Sequence, residues 1–230
     1  MPRSEGGVGR RAMRRLIALA ALLSHPAQAA ERRWPVGSVE RLRVEAPVTV
    51  HVTTGGGNGV RATAANRATL DALDLRVDGA TLTIRAPRGS PTAELFIATP
   101  RLDTLALFAP ASVTVDTLRG GRAGVSVSGA GDVTIARVDA DTFTATLVGE
   151  GTITAAGRAA EVRLAGNGPG TIDTTRLSAD RVAVQAAGDI IVRTAARSTA
   201  QVTAGPDAQV VVAGRPQCTI RATKRDTVRC

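Results

Sequence analysis

Apolar and polar residues alternate with a period of two along most of the chain beyond Trp34. Val48, Val50 and Val52 alternate with Thr49, His51 and Thr53, the pattern of a strand buried on one side. A GGGNG tract at Gly55–Gly59 breaks that strand. Leu73, Leu75 and Val77 predict another, Asp78-Gly79 a turn, and Leu82 with Ile84 the strand after it. Pro87–Pro91 reads as loop, and Leu95 with Ile97 opens a strand that ends before Pro100. No stretch shows a helical period.

From about residue 99 the alternation becomes a repeat, clearest in VSVSGAGDVTI (Val125–Ile135): an apolar doublet, a Gly-rich corner, a second doublet. First doublets recur at Leu105/Leu107, Val125/Val127, Ala145/Leu147, Val162/Leu164, Val182/Val184 and Val202/Ala204. Second doublets follow at Val113/Val115, Val133/Ile135, Ile153/Ala155, Ile172/Thr174, Ile190/Val192 and Val210/Val212, with a third apolar position at Leu118, Val138 and Leu177. The spacing is about 17–20 residues. Self-similarity at such a period marks a solenoid, because one unit cannot bury its apolar face alone. A period-two doublet points both side chains to one face, and coils stacked about 4.8 Å apart make each doublet a rung in a column. The expected fold is therefore all-β, a parallel β-helix-like solenoid. A sandwich of antiparallel hairpins would explain one unit, with SGAG as its turn. It does not explain why positions 105, 125, 145 and 182 play one role.

The chain divides into three segments: 1–29, 30–214 and 215–230. Residues 1–29 have the layout of a secretory signal peptide. A basic region ends at Arg15, the apolar run LIALAALL spans Leu16–Leu23, and Ala27-Gln28-Ala29 supplies small residues before a cleavage point between Ala29 and Ala30. The apolar run is far shorter than the roughly twenty residues that a membrane helix needs, so the mature form is expected to have no span. Met13 is an alternative start to Met1. No cysteine adjoins the cleavage point, which argues against a lipid anchor. The expected location is the periplasm or the cell surface of a bacterium.

An exported chain meets an oxidising compartment, where disulfides persist. Cys218 and Cys230 are the only cysteines and are expected to pair. CTIRATKRDTVRC reads as strand, polar turn, strand, with Thr219–Arg221 facing Thr227–Arg229. The expected result is a C-terminal hairpin over residues 215–230 that caps the open end. Its Arg221, Lys224, Arg225 and Arg229 would discourage edge-to-edge pairing.

Charge and composition narrow the function. The formal net charge is +9. The leader's Arg3, Arg10, Arg11, Arg14 and Arg15 against Glu5 account for four of these charges, leaving +5 after cleavage. No Arg-rich stripe with interleaved aromatics is present, which argues against nucleic acid as a partner. The scarcity of aromatics fits a narrow interior of aliphatic rungs.

Candidate chemistry is sparse. His51, the only histidine of residues 30–230, lies at an outward position of its strand. The GGGNG tract lacks a following Lys-Ser/Thr and opens no helix, so it is no phosphate loop. Gly129–Asp132 (GAGD) is faintly like a calcium nonapeptide repeat, but the equivalent positions are Ser112, Thr152 and Thr171, with Asp189 only in a later coil. Asp139 and Asp141 raise the question of a glycan-cleaving β-helix enzyme, which needs two carboxyls at a defined separation. Asp116, Glu161 and Asp180 on the neighbouring coils are scattered and flanked by arginine. No catalytic residue, cofactor or metal is expected.

Three stretches carry a family resemblance: VERLRVEAPVTVHV (Val39–Val52), TPRLDTLALFAPASVTV (Thr99–Val115), and SGAG-like corners followed by V-x-V or I-x-V. With the leader and the closing GRPQC (Gly214–Cys218), they resemble the DUF2807 family, also called the putative auto-transporter adhesin head (GIN) domain. Only Ser128–Gly131 approaches that family's SGSG corner. The resemblance implies a right-handed β-helix-like solenoid in an exported bacterial protein and names no reaction. The expected function is that of a non-catalytic, adhesin-like module of the cell envelope. Its partner would be an envelope protein or a polysaccharide, and oligomers are allowed. The alternative is a carbohydrate-active β-helix enzyme, a lyase or hydrolase, which a groove holding two carboxylates within about 10 Å would favour.

Overall fold

The structure, a computed structural model, describes residues 29–230. Its first part holds β1 (Ala30–Trp34), β2 (Arg41–Glu45), β3 (Val48–Thr54), β4 (Gly59–Ala64), helix α1 (Arg67–Asp71), β5 (Asp74–Asp78), β6 (Thr81–Arg85), β7 (Ala93–Thr99) and β8 (Thr104–Leu107). Four long strands follow: β9 (Ser112–Ser128), β10 (Gly131–Val148), β11 (Gly151–Asn167) and β12 (Gly170–Ala187). The chain closes with β13 (Ile191–Ala196), β14 (Thr199–Ala204), β15 (Gln209–Gly214), β16 (Gln217–Ala222) and β17 (Val228–Arg229).

The pairing is that of a parallel β-solenoid of about six turns. Each of β9–β12 is a whole coil, hydrogen-bonded in parallel to the coil before and after it. After β12 the two walls become separate strands. β14 and β16 continue one wall, and β13, β15 and β17 the other. On the N-terminal side β8, β2 and β6 extend the first wall and β3 and β7 the second.

The interior is a set of aliphatic columns. Val113, Val133, Ile153, Ile172, Val192, Val210 and Val228 stack in one, all buried. Leu105, Val125, Ala145, Leu164, Val184 and Val202 stack in another. Phe143 is fully buried between Ala123 and Val162, a large ring accommodated by a small neighbour on one side. Two buried threonines complete a column without breaking it, because Thr174 Oγ1 and Thr194 Oγ1 hydrogen-bond each other at 2.8 Å.

Within this fold the register differs from the repeat read off the sequence. Val162 and Val182 stack on Phe143, not on Ala145. The partners of Ala145/Leu147 are Leu164/Gly166, and those of Leu164/Gly166 are Val184/Ala186. On the second wall Ile172/Thr174 stacks on Val192/Thr194, so the Ile190/Val192 doublet is also displaced by two. A slip of two residues leaves every side chain on the same face, so burial alone does not reveal it.

The corners are built on glycine. Gly129, Gly149, Gly168 and Gly188 follow one another at successive corners, all with positive φ. A Cβ on Gly149 would lie 3.0 Å from the Gly129 carbonyl oxygen, so the coils meet backbone to backbone there.

Three further departures concern the ends. α1 interrupts the all-strand reading: Asn66 Oδ1 accepts from Thr69 N at 2.9 Å and caps one short turn, too brief to show a period. At the N-terminal end the pairing turns antiparallel, β7 with β4, β4 with β1, and β5 with β6. β5 is the outer strand there, so Val77, an apolar position of the strand expected at Leu73–Val77, is exposed. The C-terminal hairpin is absent. β16 pairs in parallel with β14 and β17 with β15, so residues 217–229 are a further coil, not strands facing each other.

Candidate functional site

Three surface features follow from this stacking. The first is a groove along the short side that joins the two walls, about 620 Å³, lined by Arg119, Asp139, Asp141, Arg158, Asp180 and Arg197. Parallel register sets Arg119, Asp139, Arg158 and Ser178 side by side on successive coils. Arg158 Nε donates to Asp139 at 2.8 Å, and Arg119 Nε lies 3.6 Å from the same carboxylate. The Arg158 hydrogen bond, aided by the charges of Arg158, Arg119 and Arg137, holds the Asp139 carboxyl below the usual range. A general acid needs the opposite shift. Asp180 lies 3.7 Å from Arg197. Glu161 sits on the first wall, bonded by Arg163 at 2.7 Å. Asp116 is occupied by Thr54, whose N–H and hydroxyl donate to it at 2.9 and 2.8 Å. The groove thus gathers Asp139, Asp141 and Asp180 on one side of the solenoid, with Asp139 ion-paired and pushed toward its charged form.

The second feature lies on the outer face of the second wall, where β4, β7 and β3 place Arg61, Phe96 and His51 in one row. His51 faces outward as its alternation predicts. Its ring stacks on Phe96 with centroids 5.2 Å apart, and Arg61 covers Phe96 with its guanidinium 4.4 Å from the centroid. His51 Nε2 is 3.1 Å from Glu94 Oε1. Rows further along this face are small and polar: Ser112, Asp132, Thr152 and Thr171 align, followed by Ile191. Asp189 is therefore not in that row, which leaves Asp132 its single acidic member in these coils and removes the second carboxylate of a calcium ladder.

The third feature is the terminal coil. Cys218 and Cys230 are bonded, with Cα atoms 6.5 Å apart. Cys218 stacks on Ala200 in the column of Phe143, and Cys230 follows Val228 of the opposite wall. The bridge therefore ties one wall to the other across the end of the core. A hairpin would have tied adjacent strands. At the other end Ala30 opens β1 opposite Ala64, and Ala29 is exposed. The leader itself lies outside the described residues.

A parallel β-solenoid is the class that these features define, and no helix among the described residues is long and apolar enough to cross a membrane. The chain belongs to the DUF2807 family, described as "Putative auto-transporter adhesin, head GIN domain", whose model matches residues 39–216. Solved structures share the fold at low identity. A putative adhesin from Bacteroides fragilis is 15% identical with a TM-score of 0.75, covering 86% of this chain and 95% of its own. A putative lipid binding protein from Parabacteroides distasonis is 13% identical at 0.68, covering 87% and 96%. A putative adhesin from Parabacteroides merdae is 11% identical at 0.62, covering 85% and 93%. No curated protein matches the chain in sequence.

Proposed function

We propose that this chain is exported and serves in the bacterial cell envelope as a non-catalytic interaction module. Its ligand would be an envelope protein or polysaccharide met by its solenoid surface. The observation that carries this reading is the state of Asp139, the groove carboxylate that lies between Arg119 and Arg158 and is ion-paired with both. Asp139 there offers fixed charge to a partner and is held away from the protonated form that a general acid needs. The leader and the Cys218–Cys230 bridge support export, since that bridge endures where thiols are not kept reduced. Fractionation of the parent cells with a C-terminal tag tests the reading. Recovery in the periplasm or on the surface, beginning at Ala30 and with both cysteines oxidised, is expected. Recovery in the cytosol with the leader retained and both thiols free would overturn it.

A further inference from the structure

The terminal coil differs from every other in exposure. Gln217, Cys218, Thr219, Ile220 and Arg221 are all exposed, whereas β14 beneath them alternates exposed and buried. Gln217 N donates to Ser198 O at 2.8 Å and Thr223 N to Ala204 O at 3.2 Å. By the two-residue period, the N–H and C=O groups of Cys218, Ile220 and Ala222 point away from β14. Among the described residues no strand pairs with that edge. Ile220 stands in the column of Val202, Val184 and Leu164, buried rungs all, and is the rung left uncovered.

Charge distinguishes this edge from those at the other end. Arg215, Arg221, Lys224, Arg225 and Arg229 stand against Asp226, so residues 215–230 carry four of the five net positive charges of residues 30–230. Among the described residues, no carboxylate lies within salt-bridge distance of Arg215, Arg221, Arg225 or Arg229; Lys224 alone has one, Asp207 at 3.9 Å. The edge strands at the N-terminal end neutralise themselves, through Arg33 with Glu31, Arg32 with Asp71 and Arg76 with Asp74. The family model's match ends at residue 216, one residue before β16 begins.

We infer that β16 is a docking edge for an extended acidic segment of a partner protein, which adds to the first wall as one more strand. This rests on the interaction-module reading and gives it a place and a partner chemistry. Strand addition supplies main-chain hydrogen bonds to residues 218, 220 and 222 and covers Ile220, while carboxylates on the added strand meet the unpaired arginines. A second copy is disfavoured, because two such edges bring like charges together.

The test uses purified, oxidised protein and a fluorescent ten-residue peptide of alternating Val and Glu. Anisotropy is expected to show saturable binding, at least about tenfold tighter than for the Val/Lys counterpart, with protection of the Ile220 and Ala222 amides from exchange. Ile220→Pro removes a donor that faces away from β14, a place where edge strands tolerate proline. It should preserve melting temperature and abolish binding. If that variant does not fold, Arg221→Glu/Arg229→Glu should weaken binding about tenfold or more. Binding that survives both variants, or polygalacturonate bound as tightly as the peptide and indifferent to Ile220→Pro, would overturn strand addition. Localisation plays no part in the assay, so export can fail while this inference stands, and the reverse.

Discussion

Ile190 occupies the space that a side chain at Gly166 would need. A Cβ built on Gly166 lies 2.0 Å from Ile190 Cδ1, and Ile190 is fully buried. One coil earlier the sizes are exchanged: Leu147, the rung partner of Gly166, projects to within 2.5 Å of a Cβ on Gly170. Thr171 pairs with Ile191, so Gly170 and Ile190 hold the same place one residue before. A large rung over a small corner thus becomes a small rung under a large corner, at constant packing.

That exchange is testable. Gly166→Leu alone should overpack the coil and cost about 1–3 kcal/mol or prevent folding. Ile190→Gly alone should leave a cavity costing about 3–5 kcal/mol. The double variant restores the Leu147/Gly170 arrangement and should be more stable than the sum of its parts predicts. A urea double-mutant cycle with no coupling would contradict the exchange.

Inward and outward positions should separate sharply. Val127 is fully buried, so Val127→Asp sinks a charge among Leu107, Leu147 and their neighbours and should cost roughly 3 kcal/mol or more. Ser126→Asp faces out and should change stability by under about 0.5 kcal/mol. Thermal melts of the pair decide it, and equal losses would refute the register.

The corner glycines should not be equivalent. A Cβ on Gly151 would meet the Gly131 carbonyl oxygen at 2.1 Å, whereas one on Gly129 meets nothing within 4 Å, although both have positive φ. Gly129→Ala should show only the backbone penalty, about 1–2 kcal/mol. Gly151→Ala adds a backbone collision and should be markedly worse. Denaturant midpoints in the reverse order would overturn this account of the corner.

Reduction of Cys218–Cys230 should destabilise by about 3 kcal/mol on the chain-entropy model. Coils in a solenoid contact only their neighbours, so the loss should be local. Hydrogen exchange in the Cys218→Ser/Cys230→Ser variant is expected to speed up across 217–229 and stay slow at Ile135 and Ile153. Uniform acceleration along the chain would show that the bridge acts on the whole.

Acid should weaken the molecule through identifiable carboxyls. Glu45 accepts from Arg85 at 2.6 Å and from Arg43, and Asp139 from Arg158, so both titrate below the ordinary range when folded. A depressed folded pKa contributes stability above the unfolded value, which is lost as pH falls through the folded one. The melting temperature should therefore decline below about pH 4. The decline should be shallower in Glu45→Gln/Asp139→Asn and flattened by salt, since these pairs are exposed. An unchanged acid slope in the double variant would discount both pairs.

Much of the fold is legible because a parallel coil repeats its pattern. Val125, Val133 and Ile153 declare themselves by alternation, and their stacking follows from the period. Strand β4 does not, since Ala62 and Ala64 fill its inward places and resemble loop. The register of Val162 escapes for a different reason: a two-residue slip preserves alternation, and the clue lies in Gly166, a glycine on a rung with no turn to make. The ends fail most, because Val77 and Ile220 alternate like rungs but have nothing stacked beyond them. Of the surface, Asp139 and Asp141 were recognisable as a candidate carboxyl pair. The Phe96–His51–Arg61 stack was not, as it depends on an antiparallel strand meeting a parallel wall.

The bridge across the last coil also bears on how the molecule carries tension. The hydrogen bonds between coils lie along the solenoid axis, so a pull on one end of the chain loads the outermost rungs first and peels them in turn. With Cys218 joined to Cys230, force applied at the C-terminus reaches β16 and β17 together. The terminal coil is then expected to detach from both walls in one event at higher force, a step that a reducing agent would divide into two smaller ones in a single-molecule extension trace.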